Sequence, residues 1–440
     1  TYEEVGPPKT NRSVGIFYFV WMNGGTVYDI TQILAANPTN PSWGPRWSFH
    51  FWGRPLFDYY RSNDRYVLRK HAQMLADAGV DTLFFDVSNG FTYDTARQAL
   101  CEEFEAFRLA GHRVPKLSFL THSSASNTVQ SVYDSFYAPR LFPELWLNWK
   151  GRPLMLARAG EVNPALQSYF NHRYSWAWDP GQDKWPWIDN YPQGIGWHES
   201  ASVAEEVPVC VAQHPTSNLG RSYHGGAEPP PAQRDPATGL CFAEQWSRAL
   251  SVGAEMTFVT GWNEWIAQRF IAGQDGNPSF LGAPTTNGQT FFVDQYNQEF
   301  SRDIEPMSGG HGDNYYYQLA ANVRRLKGVR PIESVRAWPI AIQDGTFDDW
   351  AFVRPEFRDS VAIKTETVDA SKLVSLGESA DDRNGYWGFK PDEMPLNARV
   401  WYPDGEGPFP LVLVVHGNHD MKDFSDPGYD YLGRLLASRG

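Results

Sequence analysis

Short apolar, β-rich runs alternate with helical patterns over the first 330 residues, and this alternation constrains the fold more than any other feature of the chain. We predict strands at residues 14–21, 81–88, 116–122, 153–158, 174–178, 207–213 and 256–260, with a weaker eighth strand at 289–294. Most of these runs are apolar throughout, which is typical of parallel strands that are covered on both faces.

Helical patterns fill the segments between the strands. We predict helices at residues 64–78, 95–110, 127–137, 165–170, 242–252 and 314–327. Gly79, Gly111 and Gly328 follow three of them, as expected for left-handed caps. This order predicts an α/β fold, a (β/α)8 TIM-like barrel. An open doubly wound sheet is the alternative, but its usual G-x-G-x-x-G or Walker phosphate loop does not occur in the sequence.

Polar and aromatic residues collect at the predicted strand ends, where barrel enzymes place their chemistry. These strand-end residues are Trp21, Asn23, Asp86, Asn89, Thr121, His122, Glu161, Trp178, Asp179, Gln213, His214, Asn263, Glu264, Asp294 and Asn297. We therefore expect one rim of the barrel to combine carboxylates, imidazoles, amides and indoles.

The segment Trp262-Asn263-Glu264-Trp265 is the most distinctive of these strand ends. It follows an apolar run and Gly261, which permits a sharp exit from the strand. Indole faces stack on the C–H surfaces of sugar rings, and a carboxylate can stabilise positive charge at an anomeric carbon. The segment thus predicts a sugar-binding cleft, and a core strand that ends in a hydrogen-bonded acid is the alternative.

Cleavage of a glycosidic bond generally needs two carboxyl groups, one of which donates a proton while the other acts as nucleophile or base. Glu264 and Asp86 are the predicted catalytic pair. Asp86 follows two phenylalanines, so we expect burial to raise its pKa, as suits a proton donor. Asp86 could instead cap a loop or pair with an arginine, in which case Asp179 or Glu161 would take its place.

The remaining rim residues are predicted to bind substrate. They are Trp21, His122, Glu161, Trp178, Asp179, His214, Trp262, Asn263, Trp265 and Glu305. Ordinary core or loop positions are the alternative for the histidines, and salt bridges to Arg302 or Arg269 are the alternative for the acids of residues 299–306. Neither an H-E-x-x-H motif nor an Asp-rich calcium loop occurs, so we predict no metal and no cofactor.

Composition restricts the partners. A formal net charge of −13 argues against non-specific binding to nucleic acid or to an anionic membrane surface. Aromatic residues make up 15 % of the chain, which suits carbohydrate recognition, and no apolar stretch is long enough to span a membrane. The three cysteines are predicted to be buried free thiols. We expect an extracellular or periplasmic location, although no signal-peptide pattern is visible at Thr1.

The sequence changes character after the predicted barrel, which we assign to residues 1–335. Residues 336–375 resemble the start of a β-sandwich-like module, and 376–440 resemble part of an α/β-hydrolase esterase. The second segment has strand patterns at 396–402 and 411–416 and a helix pattern at 430–438. The nucleophile motif G-x-S-x-G is absent from the chain, so the sequence does not assemble a serine esterase.

The Trp262–Trp265 segment resembles the late-strand motif of the family-99-like glycoside hydrolases, which include endo-α-mannosidases. The opening segment 14–19, the 81–86 segment after the helix that carries His71, and residues 299–306 and 312–315 fit the same pattern. The resemblance covers about residues 14–328 and implies a (β/α)8 barrel with a retaining carboxylate mechanism on an α-glycan. The mannosidases carry a second acid soon after this motif, whereas Ile266, Ala267 and Gln268 stand here.

These observations predict a glycoside hydrolase that cleaves a polysaccharide or oligosaccharide with a pair of carboxylates at the barrel rim. A non-catalytic carbohydrate-binding barrel protein is the alternative, in which the acids only bind sugar hydroxyls.

Overall fold

The structure is a computed structural model that describes residues 2–331, 363–369, 397–403 and 432–434. The chain divides into two compact units, Thr1–Glu333 and Ser334–Gly440. The first unit contains the predicted barrel and all the predicted site residues.

Eight α-helices are present in unit one: α1 (Tyr2–Val5), α2 (Ile30–Ala36), α3 (Arg65–Ala78), α4 (Asp94–Leu109), α5 (Ala125–Val132), α6 (Pro164–Gln167), α7 (Leu240–Val252) and α8 (Asn314–Lys327). Its strands are β1 (Ser13–Tyr18), β2 (Phe49–Phe51), β3 (Thr82–Asp86), β4 (Lys116–Leu120), β5 (Asn148–Trp149), β6 (Arg152–Leu156), β7 (Asn171–Arg173), β8 (Gly181–Gln182), β9 (Gly196–Trp197), β10 (Glu206–Cys210), β11 (Met256–Thr260), β12 (Ile266–Ile271), β13 (Ser279–Phe280), β14 (Ala283–Pro284) and β15 (Thr290–Phe292).

A parallel-rich sheet forms the centre of unit one. Its strand order is β5-β6-β4-β3-β1-β11-β10-β9-β8, and β7 pairs with β6 outside this path. The pairs β7–β6, β6–β4, β4–β3, β3–β1, β1–β11 and β11–β10 are parallel. Strand β5 pairs antiparallel with β6, and β9 pairs antiparallel with β10. An isolated parallel bridge joins Tyr174 to Lys184. The predicted α/β class with a parallel sheet is confirmed, and closure of a complete (β/α)8 barrel remains a prediction.

Two predicted strands are corrected. The weak eighth strand corresponds to β15, which pairs antiparallel with β12 and not with the parallel sheet. Together with β2, these strands form a separate three-stranded sheet in the order β15-β12-β2. The predicted strand 174–178 lies earlier, at β7, because the chain turns before Trp178, whose φ of 56° does not continue a strand.

The helix boundaries follow the local signals in the sequence. Asp64 caps α3 by accepting hydrogen bonds from the backbone N–H groups of Tyr66 and Val67, and Gly79 ends the helix with a left-handed φ of 82°. The predicted helix 314–327 agrees with α8. The predicted helix 127–137 is α5 followed by a π-helical turn at Tyr133–Tyr137, and 165–170 reduces to the single turn α6.

Side chains alternate between the two faces of the central strands and so pack into two separate hydrophobic clusters. On β1, Ile16 and Tyr18 belong to one cluster while Phe17 belongs to the other, and Phe84 of β3 joins the cluster of Phe17. All of them are buried, so the strands are covered on both faces as predicted. Polar residues can therefore reach a cleft only where the strands end.

Unit two contains an antiparallel strand pair, β16 (Ile363–Asp369) and β17 (Asn397–Pro403). The second strand agrees within one residue with the predicted strand 396–402, and residues 432–434 are helical within the predicted helix 430–438. The pair joins a strand from the predicted sandwich segment to one from the predicted hydrolase segment. The other strand pattern predicted in this tail, 411–416, lies outside the described residues.

Candidate active site

The exit from β11 depends on a close approach at Gly261. A Cβ atom at this position would lie 2.6 Å from Oδ1 of Asp303 and 3.3 Å from a ring carbon of Phe17. The same Oδ1 accepts a hydrogen bond of 2.8 Å from the backbone N–H of Glu264. The missing side chain at residue 261 thus lets Asp303 hold the turn that carries Glu264.

Asn263 ties this turn to the end of β1. Its Oδ1 accepts from the backbone N–H of Phe19 at 2.9 Å, and its Nδ2 donates to the carbonyl of Phe19 at 3.1 Å. The side chain is 1 % exposed. Both ends of its amide are taken by the backbone, so the structure gives Asn263 a place in the turn, and substrate binding by this residue stays a prediction.

Trp262 and Trp265 face the interior, and neither has exposed area. The Trp265 ring stacks on Trp52 with centroids 4.5 Å apart, and Trp262 packs edge-on against His71 at 5.5 Å. The structure gives neither ring a face that a sugar could reach, and the stacking of these two indoles on a sugar stays a prediction. Burial of such large apolar rings is strongly favourable, and the loop turns both of them into the core.

Glu305 is also buried without exposed area. Its Oε1 lies 2.8 Å from Nε2 of His71, and its Oε2 accepts from the hydroxyl of Tyr60 at 2.6 Å and from Nε1 of Trp265 at 2.5 Å. The hydroxyl of Tyr18 lies 2.7 Å from Nδ1 of the same histidine. Both oxygens of Glu305 already have partners in this network beneath the turn, and substrate binding by Glu305 stays a prediction.

Glu264 differs from its neighbours because it borders an open cavity of about 180 Å³. The side chain is 7 % exposed, and Oε2 accepts a hydrogen bond of 2.9 Å from Nη2 of Arg302. The other residues around the cavity are Phe19, Trp21, Phe49, Ile266, Ala267, Gln268, Phe270, Val293 and Asp294. Of the four residues in the Trp-Asn-Glu-Trp segment, only the glutamate reaches this cavity.

Arg302 is the functional candidate that sequence reasoning missed. The sequence indicates Arg302 only as a salt-bridge partner for the acids around it, yet its Nη2 contacts Glu264 and lies 3.5 Å from Oδ1 of Asp294. Its Nη1 donates to the backbone carbonyl of Gln213 at 3.2 Å, and the guanidinium lies 4.8 Å from the ring centre of Trp187. No local pattern marks this residue, because its partner is 38 positions away in the sequence.

Asp86, at the end of β3, is 2 % exposed. Its Oδ1 accepts from the backbone N–H of Ser88 at 3.0 Å, and its backbone carbonyl accepts from Nε1 of Trp21 at 3.3 Å. Trp21 in turn borders the cavity and stacks on Tyr93 with centroids 5.9 Å apart. Asp86 is thus one side chain removed from the cavity wall.

The electrostatics link the two acids. Burial raises the pKa of Asp86 from 3.8 to about 6, which confirms the expected direction, while hydrogen bonds from Ser88 and the charge of Arg302 oppose the rise. Burial raises the pKa of Glu264 well above its usual value; Arg302 opposes this rise, and the charges of Asp294, Asp303 and Asp86 add to it. Both acids therefore hold a proton more tightly than exposed carboxyl groups do.

A second aromatic group lies near Arg302. Trp178 is 41 % exposed, and its Nε1 donates to Oε1 of Gln213 at 3.0 Å. The ring of His214 packs edge-on against Trp178 at 5.5 Å, and burial with the nearby Arg302 charge lowers the pKa of His214 to about 4. His122, a further predicted rim residue, stacks on Trp176 with centroids 3.6 Å apart. These rings have faces or edges available to a ligand.

Glu161 and Asp179 are paired with bases of their own. Glu161 lies 3.3 Å from Arg158, and Asp179 contacts Lys184. Neither acid borders the cavity that contains Glu264. Asp86 does not border this cavity either, but its charge raises the pKa of Glu264.

Among the described residues, no group of three or more His, Cys, Asp or Glu side chains is arranged to hold a metal ion. Within the same ranges no helix combines the length and the apolar character needed to cross a bilayer. Cys101, Cys210 and Cys241 are buried and free, which confirms the prediction for the thiols.

Comparison with known proteins gave matches only among solved structures. No family model and no curated protein matches the chain. The chain is similar to the GH99 endo-alpha-mannosidase from Bacteroides thetaiotaomicron in complex with bis-tris-propane, at 15 % identity and a TM-score of 0.39 over 71 % of this chain and 97 % of that one. A second structure of that enzyme matches at 14 % identity and a TM-score of 0.38, over 71 % and 97 % of the two chains. A glycoside hydrolase-like protein matches at 11 % identity and a TM-score of 0.38, over 72 % of this chain and 95 % of that one. Two of the three are members of the family that the Trp262–Trp265 segment resembles.

Proposed function

We propose that the protein is a glycoside hydrolase that acts on a polysaccharide or oligosaccharide, with Glu264 and Asp86 as the pair of carboxyl groups. One observation carries the proposal. Glu264, a buried glutamate with a raised pKa, borders an open cavity, and the charge of Arg302 acts both on Glu264 and on a second buried acid, Asp86. Perturbed carboxyl groups beside a cavity are typical of catalytic sites.

The pKa directions suggest the roles. Cleavage needs one protonated and one ionised carboxyl group. Asp86, with a pKa of about 6, is mostly ionised at neutral pH, whereas burial raises the pKa of Glu264 well above its usual value. We therefore assign proton donation to Glu264 and the role of nucleophile or base to Asp86, the reverse of the expectation from sequence. Arg302 at 2.9 Å would stabilise the Glu264 carboxylate once its proton has left.

The cavity surroundings fit a carbohydrate partner. Trp21 borders the cavity, and Trp178, His214 and His122 carry rings at least partly open to solvent. Rings of this kind bind the C–H faces of sugars, and ring nitrogens bind hydroxyl groups. An extracellular or periplasmic location, where polysaccharide is met, stays a prediction.

The test is release of reducing ends from a panel of polysaccharides. Glu264→Gln and Asp86→Asn should each lower turnover at least 100-fold while sugar binding is retained, since each amide is close in size to the acid that it replaces. Glu161→Gln is the matched control, because this exposed acid lies outside the cavity, and it should keep wild-type turnover. Full hydrolysis by either of the first two variants would reject the assignment.

A non-catalytic carbohydrate-binding protein is the second candidate. The ion pair between Glu264 and Arg302 favours it, because a carboxyl group held at 2.9 Å by a buried guanidinium could serve only as a hydrogen-bonding partner for sugar hydroxyls. This function predicts saturable binding of a glycan, measured by calorimetry, without release of reducing ends from that same glycan.

A further inference from the structure

The cavity beside Glu264 is mostly apolar. Seven of its ten residues are apolar or aromatic: Phe19, Trp21, Phe49, Ile266, Ala267, Phe270 and Val293. The three polar residues are Glu264, Gln268 and Asp294. An ordinary hexose has a hydroxyl group on nearly every carbon, and each hydroxyl that leaves water without a partner costs free energy. A wall of this composition is therefore poorly matched to a sugar with hydroxyl groups on every side.

The three-stranded sheet builds this wall. Along β12, Ile266, Gln268 and Phe270 alternate onto one face and border the cavity, and Phe49 of β2 stands opposite Gln268 in the register. The amide nitrogen of Gln268 donates to the carbonyl of Trp47 at 3.1 Å. The one polar side chain on this face thus already has a protein partner for one of its two N–H donors.

The two acids of the cavity gather at one place. Glu264 and Asp294 both contact Arg302, at 2.9 and 3.5 Å. A sugar with its reacting bond at Glu264 would place its polar edge there and its opposite edge against the wall of β12, β2 and Val293.

We propose, on the basis of the glycoside hydrolase function above, that this cavity takes a pyranose that carries a methyl group, either a 6-deoxyhexose or an acetamido sugar. The methyl group would lie against the apolar wall, and the hydroxyl edge would face Glu264 and Asp294. The volume of about 180 Å³ suits a single six-membered ring, because an engineered apolar cavity of about 150 Å³ holds benzene.

Matched sugars test the proposal directly. Dissociation constants of the wild-type chain are measured by ligand-observed NMR for D-fucose against D-galactose, D-quinovose against D-glucose, and N-acetylglucosamine against glucose. The methyl-bearing member should bind about 10-fold or more tightly in at least one pair, since a single apolar group in a hydrophobic pocket discriminates by about 10–200-fold. A preference for the first two pairs identifies a deoxy sugar, and a preference for the third identifies an acetamido sugar.

A pair of variants ties the preference to the wall. Val293→Thr replaces one methyl group by a hydroxyl at nearly constant volume and should reduce the preference several-fold. Val203→Thr is the control, because Val203 is 58 % exposed and lies outside the cavity, and it should leave the preference unchanged. Equal affinity within all three pairs in the wild type, or an unchanged preference in Val293→Thr, would overturn the proposal.

Hydrolysis separates this proposal from the proposed function. Reducing ends released as fast from a polymer of fully hydroxylated hexoses as from methyl-bearing polymers would refute the methyl-bearing substrate and leave the glycosidase standing. If the chain hydrolyses none of the polymers and binds none of the sugars, the glycosidase itself is rejected, and the methyl preference is rejected with it. Hydrolysis confined to methyl-bearing polymers supports both.

Discussion

Arg302 Nη2 lies 2.9 Å from Oε2 of Glu264, so a buried guanidinium holds a buried carboxyl group at the edge of an open cavity. Both side chains are less than one tenth exposed. Removing two charged groups from water is costly, and the remaining charge becomes strongly unfavourable when one partner is lost. The pair therefore links the chemistry of the site to the stability of unit one.

Removal of the guanidinium should destabilise the protein. We expect Arg302→Met to abolish turnover and to lower the free energy of unfolding by about 1–3 kcal/mol, measured by urea denaturation, because Glu264 and the backbone carbonyls of Gln213 and Asp294 lose their buried donor. Arg158→Met, which removes a surface pair with Glu161 of 3.3 Å, should cost less than about 1 kcal/mol. A variant at 302 that is as stable as wild type would show that the buried pair does not contribute as argued.

The pH dependence of activity should report the two acids. If Asp86 acts as the ionised group, kcat/KM rises as the pH increases through about 6, the pKa of its carboxyl group. Activity should fall again where Glu264 loses its proton, at a pH well above its usual pKa. Initial rates between pH 4 and 10 test this, and a rate that shows no rise near pH 6 would rule out Asp86 as the ionised partner.

Because the pKa of Asp86 is raised, its ionised form should lower the stability of the folded protein. Its carboxyl pKa is higher in the folded protein than the usual 3.8, so the folded state binds the proton more tightly and stability falls as the pH rises from about 4 through about 6. We expect Asp86→Asn to be more stable than wild type at pH 8, by on the order of 1–3 kcal/mol, because the neutral amide keeps an acceptor for Ser88.

The stability difference between Asp86→Asn and wild type should shrink towards zero near pH 4, where the wild-type carboxyl group is protonated. Urea denaturation at the two pH values measures it. An equal difference at both pH values would mean that titration of Asp86 is not its cause.

Gly261 can be tested with a matched glycine. Gly261→Ala should lower both the melting temperature and turnover, since the added Cβ would lie 2.6 Å from the Asp303 oxygen that holds the backbone of Glu264. In Gly160→Ala the added atom meets nothing within 4 Å, so this control should behave as wild type. Equal behaviour of the two variants would contradict the close approach at residue 261.

The network beneath the site should be sensitive to a single atom. Glu305→Gln replaces one of two acceptor oxygens with an N–H group that faces the donors of Tyr60 and Trp265, or the ring of His71. We expect a loss of about 2 kcal/mol in the free energy of unfolding, since buried polar groups lose partners. Glu161→Gln, at an exposed position, should change it by less than about 0.5 kcal/mol.

Patterns within a few residues were enough to predict the regular elements. Strand β11 and helix α8 have their predicted bounds, and α3 begins one residue after the predicted start, behind its cap Asp64. Side-chain periodicity and cap residues act over only one or two turns of chain. The positions of Glu264 and Asp86 at strand ends follow from the same periodicity.

The sequence by itself thus determined most strands of the parallel sheet, the longer helices and which acids stand at strand ends. Only the tertiary structure decided that Trp262, Asn263, Trp265 and Glu305 turn into the core, that β15 joins a separate sheet, and that Arg302 pairs with Glu264. These outcomes depend on contacts between segments far apart in the chain, where packing and the pairing of buried charges select among side chains that look alike in sequence.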